Sequence, residues 1–408
     1  MKKWRLFFAA ICIHYFPVFS QEKLISREQI PIMAWYSIPA SETSVPRFEE
    51  MKGAGITYQL NGYPNLGEMI KALDIAAKTG IKLVVSCPEL KSDPEGTVKR
   101  LMNYPAVAGY HLMDEPSITQ LADLAAWAKR IQSIDHNHFC YVNLFPDVVD
   151  SATLHTNDYR KYVNECATTV PLQFLSFDYY PVLKEKLAES WFDNLRVVAD
   201  EAKKSGKTFW AFALTTNYDN AKVTPQTLAS LRLQVYADLA YGAQGIEYFT
   251  YWSATSLNTP SSEDQRGALI SARGKRTVVY DRVKQVSEEI KNLSGVFAGS
   301  KVVWVRHTGK DRIPSGTVRL TSLPEPVKVL ETNGAPAIVS LLEKENNYFL
   351  VIVNKDYYNN MGLVFYGTDE VKKICKDGSI VPANAYENAM EVDPGDAVIY
   401  MFPKASVK

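Results

Sequence analysis

The chain has 408 residues, 46% of them hydrophobic, and its 45 basic and 45 acidic residues cancel to a formal net charge of zero. That length exceeds one average domain and supplies a sizeable core. The neutral balance leaves no basic excess for nucleic acid or an anionic membrane.

Lys2, Lys3 and Arg5 precede an apolar run over 6–19 that is too short to span a bilayer. Val18 and Ser20 are small enough for cleavage before Gln21. Residues 1–20 therefore read as a signal peptide. The mature protein is expected to be exported, periplasmic, extracellular or at the cell surface, with no transmembrane span. Cys87, Cys140, Cys166 and Cys375 show no metal-ligand spacing. An oxidising compartment permits a bridge among them, but the sequence does not name one.

Beyond residue 30, strands and helices alternate. Strands are predicted over 32–38, 56–60, 82–87, 107–114, 139–144, 173–179, 208–214 and 245–251. Helices are predicted over 47–54, 66–79, 94–103, 118–134, 158–166, 191–204 and 225–241, with Gly80 and Gly242 as C-terminal caps. Strands joined by helical crossovers pair in parallel, and eight such units predict a closed (β/α)8 barrel over 21–296. An open doubly wound sheet would carry a glycine-rich turn after its first strand, and Ile38-Pro39-Ala40-Ser41 is not one. Residues 254–268 read as a long rim loop, and a helix running to about Leu293 should close the barrel. From 297 to 408 the pattern changes to short strands with turns such as Asp393-Pro394-Gly395-Asp396, which predicts a small antiparallel β-sandwich.

The fourth strand ends in two carboxylates and a proline, Asp114-Glu115-Pro116. Pro116 stops the ladder and Ser117 can cap the following helix, so both acids fall on the C-terminal rim, where barrels place their chemistry. Other strand ends add Trp35, Tyr36, Asn61, Tyr63, Asn143, Asp178, Tyr180, Tyr251 and Trp252, with His111 and Trp210 inside their strands. There is no HExxH, no GxSxG, no phosphate-binding glycine loop and no cation cluster. Rings, amides and carboxylates suit a neutral polyhydroxylated ligand, so a carbohydrate is the expected partner and no metal or organic cofactor is expected. Trp35, Tyr36, Asn61, Tyr63, His111, Asn143, Tyr180, Trp210, Tyr251 and Trp252 are the candidate sugar contacts.

Gly109-Tyr110-His111-Leu112-Met113-Asp114-Glu115-Pro116 resembles the fourth-strand signature of barrel glycoside hydrolases, in the retaining clan that includes β-galactosidases and cellulases. The clan usually carries Asn-Glu-Pro there, and its Glu is the general acid/base, so the resemblance implies Glu115 as the acid. Residues 269–280 resemble the last-helix region of those enzymes, and the C-terminal sandwich is similar to the small β-domains that follow many of their barrels. Two departures stand out. Asp114 replaces the usual Asn, and the seventh strand ends Ala213-Leu214-Thr215-Thr216, where the clan carries its nucleophile Glu. The second carboxylate must come from elsewhere. Asp178 ranks first because it ends the sixth strand, Asp114 second, and Glu247 third because it sits early in the eighth. In a regular strand, alternation would turn Asp114 away from Glu115; a bulge would bring both inward. A nearby Asp114 would also raise the pKa of Glu115, as an acid catalyst needs.

The reading is thus an exported glycoside hydrolase with Glu115 as acid and Asp178 as base or nucleophile. Two others stay open. One is a glycan-binding protein on a barrel that has lost catalysis. The other is a substrate-assisted N-acetylhexosaminidase, because adjacent Asp114-Glu115 resembles the acid pair of those enzymes.

Overall fold

Short apolar strands, each followed by a helix, have both faces covered when they pair in parallel, and the chain closes them into a barrel. The computed structural model describes residues 29–183, 186–216, 226–253, 267–310, 312–383 and 389–404. Around the barrel run β1 (Ile32–Trp35), β2 (Tyr58–Leu60), β3 (Lys82–Val85), β4 (Val107–Asp114), β5 (Phe139–Leu144), β6 (Phe174–Phe177), β7 (Thr208–Leu214) and β8 (Ile246–Phe249) in sequence order, with β8 pairing back onto β1. The expected signal peptide over 1–20 and residues 254–266 of the rim loop expected over 254–268 lie outside the described residues. No helix among the described residues is long and apolar enough to cross a membrane.

Alternation along each strand sorts side chains into two cores. Met33, Trp35, Leu60, Val84, Ala108, Phe139, Tyr141, Phe174, Trp210 and Phe212 fill the lumen. Their neighbours in sequence, such as Ala34, Leu83, Tyr110, Cys140, Val142 and Ala211, pack outward under the helices. The lumen is crowded with rings, and Trp210 stacks on Phe174 with centroids 4.3 Å apart. Two glycines make room for them. A Cβ on Gly109 would lie 2.4 Å from the Phe139 ring, and one on Gly245 would lie 2.3 Å from Trp210.

The helix Leu66–Thr79 follows its sequence signals. The Asn65 side chain accepts from the Glu68 N–H, a buried stripe runs through Met69, Ala72, Leu73 and Ala76, and Gly80 ends it at φ 84°. The helix expected over 118–134 begins instead as a 3-10 turn, Ile118–Gln120, held by a Ser117–Gln120 capping box, and continues as Leu121–Gln132.

The second domain is built from β9 (Lys301–His307), β10 (Val327–Glu331), β11 (Ala337–Lys344), β12 (Asn347–Asn354), β13 (Met361–Gly367), β14 (Lys372–Ile374), β15 (Ile380–Pro382), β16 (Ala389–Val392) and β17 (Ala397–Pro403). They form a six-stranded antiparallel sheet, β9-β11-β12-β17-β14-β15, over a three-stranded one, β10-β13-β16. The larger sheet is apolar on both faces because it is covered on both. Ile338, Leu342, Val351 and Val353 pack toward the barrel, whereas Val339, Leu341, Leu350 and Ile352 pack toward the small sheet. The helix Leu228–Ala240 lies between barrel and sandwich, and Ser340 Oγ donates to its Ala240 carbonyl at 2.7 Å. Cys87, Cys140, Cys166 and Cys375 are all free thiols.

Candidate active site

The site is created by an irregularity in β4. Its register with β5 shifts between His111 and Met113, so one extra residue is accommodated there. This bulge resets the alternation, and Asp114 comes to lie opposite Asn143. Glu115 follows in a left-handed conformation, φ 51°, yet its backbone N–H still donates to the Asn143 carbonyl at 2.9 Å. A left-handed residue other than glycine costs roughly 1–2 kcal/mol and persists where its surroundings over-determine it. Here the ladder bond holds it on one side. On the other, the Pro116 carbonyl accepts from Tyr162 Oη at 2.9 Å, and the cap fixes Ser117.

Asn143 is the hub. It is buried, and its Nδ2 donates to Asp178 Oδ1 at 2.8 Å and to Asp114 Oδ1 at 3.2 Å. Its Oδ1 lies 3.0 Å from Ser176 Oγ. Ser176 Oγ is in turn 2.6 Å from Glu247 Oε2, and Tyr141 Oη donates to Glu247 Oε1 at 2.8 Å. A chain of polar contacts thus runs from Glu247 inside the lumen to the two aspartates at its mouth.

Electrostatics separate the acids. Burial pushes Glu115 up to about 8, and the Asp178 and Asp114 charges push the same way. Burial also raises Asp178, to about 7, against the hydrogen bonds from Asn143 and Tyr180 that favour its charge. Asp114 is raised by burial and held down by Asn143. Among the described residues, Glu115 receives no such donor. Of the three, it is the carboxyl built to keep its proton, and the aspartates are those supplied with hydrogen bonds for a charge.

Beneath the acids, Trp35 meets His111 edge-on at 5.4 Å, and His111 Nδ1 lies 3.3 Å from Ser86 Oγ. Burial lowers the His111 pKa to about 4, so the ring is neutral. At the mouth, Tyr36 is 51% exposed, and Tyr36 and Tyr180 each place their ring 5.6 Å from Phe249. Beside Glu115 opens a cleft of about 370 Å³ lined by Ser117, Thr119, Gln120, Phe145, Thr153 and His155. Asn61, at the end of β2, donates to the Gly62 carbonyl. Among the described residues, no group of three or more His, Cys, Asp or Glu is arranged to hold a metal.

Four expected sugar contacts are placed elsewhere. Trp210 is fully buried in the lumen under Phe174 and Tyr58. Tyr63 accepts from Gln59 Nε2 at 2.6 Å within the outer core. Tyr251 is buried in that same layer, and the Trp252 ring packs beneath the Arg47 guanidinium at 5.0 Å. For Tyr251 and Trp252 the physical reason is that β8 ends at Phe249, so the rim position belongs to Phe249, and the later rings turn outward onto the helical layer; Trp210 lies too low, level with Gly245 at the start of β8, and Tyr63 follows the end of β2 and turns into the outer core. Phe249, Ser176 and Tyr141 were missed. Period-two alternation carried forward from Glu247 would have found Phe249. At the end of β7, Thr215 Oγ1 donates to the Thr250 carbonyl, and neither Thr215 nor Thr216 supplies an acid.

A family model for glycoside hydrolase family 42, described as beta-galactosidase, matches residues 142–293. No curated protein sequence matches. Among solved structures, the chain is similar to a catalytic mutant of a family 42 beta-galactosidase from G. stearothermophilus, with TM-score 0.62 and 10% identity over 92% of this chain and 98% of that one. It is also similar to a beta-galactosidase from Bacillus circulans sp. alkalophilus, with TM-score 0.61 and 9% identity over 92% and 99%. A third, described as a glycoside hydrolase, has TM-score 0.55 and 14% identity over 93% of each chain. These likenesses share the barrel and the domain that follows it. The family match and the fold together bear out the assignment as a barrel glycoside hydrolase, while the matched residues begin at 142, beyond the fourth-strand motif.

Proposed function

We propose that this barrel glycoside hydrolase is exported and cleaves a glycosidic bond in an oligo- or polysaccharide, with Glu115 as general acid and Asp178 as its partner carboxylate. One observation carries the reading. Asn143 gives one N–H to Asp178 and the other to Asp114, while Glu115 has burial and two like charges around it and, among the described residues, no hydrogen-bond donor. Glycoside hydrolysis needs one protonated and one ionised carboxyl across the scissile bond, and this arrangement separates those roles.

In the reaction, the Glu115 carboxyl delivers its proton to the glycosidic oxygen as the bond to the anomeric carbon breaks. The Asp178 carboxylate faces the positive charge that develops on the sugar. It either bonds to the anomeric carbon or takes a proton from the attacking water. The rings of Tyr36, Phe249 and Tyr180 offer flat faces for the sugar, and the hydroxyl-lined cleft beside Glu115 suits a departing sugar better than an apolar group. β-Galactosides are the first substrates to test, given the description of the matching family. Turnover on a panel of natural glycans, lost in Glu115→Gln, is the expected result. Binding without turnover across that panel would replace the enzyme with a glycan-binding protein.

The bulge that turns Asp114 inward favours a second reading. Asp114 beside Glu115 would orient a substrate acetamide as internal nucleophile, and activity confined to N-acetylated sugars would select it. Export is inferred from Lys2, Lys3 and Arg5 ahead of the short apolar run. Mass spectrometry of secreted protein should find the mature terminus near Gln21; an intact 1–20 segment on that protein would refute cleavage.

A further inference from the structure

Glu247 is a lumen carboxyl that the mechanism above leaves unused. It is fully buried. Its neighbours in register, Met33 on β1 and Phe212 on β7, are apolar members of the lumen core. The groups that bear on it are the Tyr141 and Ser176 hydroxyls and, at the mouth, Asp178 and Asp114. Neutral His111 lies beyond the Tyr141 ring, with centroids 6.0 Å apart. Among the described residues, no cation pairs with it.

The supply of protons around it favours one state. Tyr141, Ser176, Asn143 and Glu247 are joined by four contacts: Tyr141 to Ser176 at 2.8 Å, Tyr141 to Glu247 at 2.8 Å, Ser176 to Glu247 at 2.6 Å and Ser176 to Asn143 Oδ1 at 3.0 Å. An amide oxygen only accepts, and both Asn143 N–H bonds are committed to the aspartates. Among the described residues Ser176 is the donor placed to serve Asn143 Oδ1, so the assignment that leaves no acceptor empty sends the Ser176 proton there. The Ser176–Glu247 contact is then a hydrogen bond only if Glu247 is the donor. With Glu247 ionised, two hydroxyl protons would serve two carboxylate oxygens and one amide oxygen, and a buried acceptor left without a donor costs about 1–3 kcal/mol.

We propose that Glu247 is a positioning residue: it stays protonated and donates to Ser176, which frees the Ser176 hydroxyl for Asn143 and keeps both Asn143 N–H groups on Asp114 and Asp178. This rests on the reading of Asp178 as an ionised partner. Burial supports it, since it raises the Glu247 pKa to about 8. When Glu247 loses its proton, it competes for the Ser176 hydroxyl. The Asn143 amide then gains by rotating its N–H toward Ser176, which turns its oxygen onto two carboxylates. The protonation of an acid inside the barrel thereby sets which end of an amide faces the reacting groups.

Glu247→Gln is the test, because a glutamine amide oriented like the acid donates to Ser176 and accepts from Tyr141. Melting temperature is measured against pH in parent and variant. Glu247 holds its proton in the folded state and loses it near its ordinary carboxyl value when unfolded, so the parent should lose more stability than the variant as pH rises from about 5 to about 8, with Asp178 and Glu115 contributing equally to both. The gap in Tm between variant and parent should grow across that window and level off above it. At pH 7, Glu247→Gln should keep kcat/KM within about threefold of the parent, whereas an ionised catalytic carboxylate would cost roughly 10²-fold or more. Ser176→Ala should move the acid limb of the pH profile upward, because Asp178 then loses an oriented donor, and Glu247→Gln should leave that limb in place. A Tm gap independent of pH, or a folded Glu247→Gln variant that is down a hundredfold, would overturn the proposal. If the parent turns over no glycan, the proposed function fails, and the Tm comparison still decides the state of Glu247.

Discussion

The Glu115 backbone N–H donates to the Asn143 carbonyl at 2.9 Å, while the Asn143 side chain donates to Asp178 at 2.8 Å. One residue on β5 therefore registers the backbone of the proposed acid and orients its proposed partner. The coupling depends on the β4 bulge. Without it, alternation would turn Asp114 to the outer face of the strand and away from Asn143, while the left-handed backbone of Glu115, φ 51°, is what keeps its carboxyl from taking the face opposite Asp114.

Glu115→Gln keeps the shape of the acid but has no proton to deliver. Activity on natural glycans should fall about 10²–10⁴-fold, with folding unchanged. Substrates whose leaving group departs without a proton should lose much less. Steady-state kinetics on a natural glycan and on an activated aryl glycoside distinguish these, and equal losses on both would remove Glu115 from proton transfer.

The pH profile follows from the same charges. Activity needs Glu115 protonated and Asp178 ionised. The active form therefore rises as pH passes about 7, where Asp178 ionises, and declines as pH passes about 8, where Glu115 does. A narrow optimum near pH 7–8 is expected. Asp114→Asn removes a negative neighbour of Glu115, which lowers the Glu115 pKa and should move the alkaline limb toward acid. An alkaline limb that stays fixed in Asp114→Asn would show that Asp114 does not act on Glu115 through its charge.

Asp178→Asn should abolish turnover of ordinary glycosides while binding survives, because Tyr36, Phe249 and Tyr180 remain. Asp114→Asn should leave measurable turnover. Calorimetric binding beside kinetics separates the two functions. The reverse ranking, with Asp114→Asn inactive and Asp178→Asn active, would favour the substrate-assisted reading.

Much of this was legible in the sequence, and the rest failed for identifiable reasons. β4, β5 and β7 were bounded correctly because each is a continuous apolar run ended by Pro116, Phe145-Pro146 or Thr215-Thr216. The acids Asp114, Glu115 and Asp178 stood out because a charge at the end of such a run has few structural uses. The bulge was open as a possibility only, since nothing in Gly109 to Pro116 says which residue is extra. The rings were harder. Trp210 and Phe249 both alternate into the lumen, but height along the strand decides whether a ring plugs the barrel or faces a ligand, and height depends on where neighbouring strands begin. Ser176 was passed over because a serine in an apolar strand is ordinary until its partners across the barrel are known.

Gly109 is expected to tolerate no side chain. A Cβ there would lie 2.4 Å from both the Phe139 ring and the Phe139 carbonyl oxygen, so the β4–β5 ladder itself must shift. Gly109→Ala should destabilise the fold by about 1–3 kcal/mol, as overpacking in a filled core does. Because the same ladder positions Glu115 and Asn143, activity per folded molecule should fall as well. Denaturant melts paired with kinetics on the folded fraction test this, and an unchanged melting midpoint would mean that the two strands do not approach this closely.

The placement of Phe249 and Trp252 leads to opposite expectations for two neighbouring rings. Phe249 ends β8 between Tyr36 and Tyr180 and is only partly buried, so its ring is available to a sugar. Trp252 is 8% exposed, lies in the outer core and carries the Arg47 guanidinium on its face. Phe249→Ala should raise KM by roughly tenfold, the equivalent of about 1.4 kcal/mol of lost binding, with kcat and the pH limbs nearly unchanged. Trp252→Ala should instead empty a filled site and destabilise the protein by about 3–5 kcal/mol, with KM of the folded enzyme close to that of the parent. Thermal melts and Michaelis–Menten kinetics on both variants give four numbers that must fall in this pattern. If Trp252→Ala raises KM while leaving stability intact, the sugar platform lies at Trp252, and Phe249 belongs to the core.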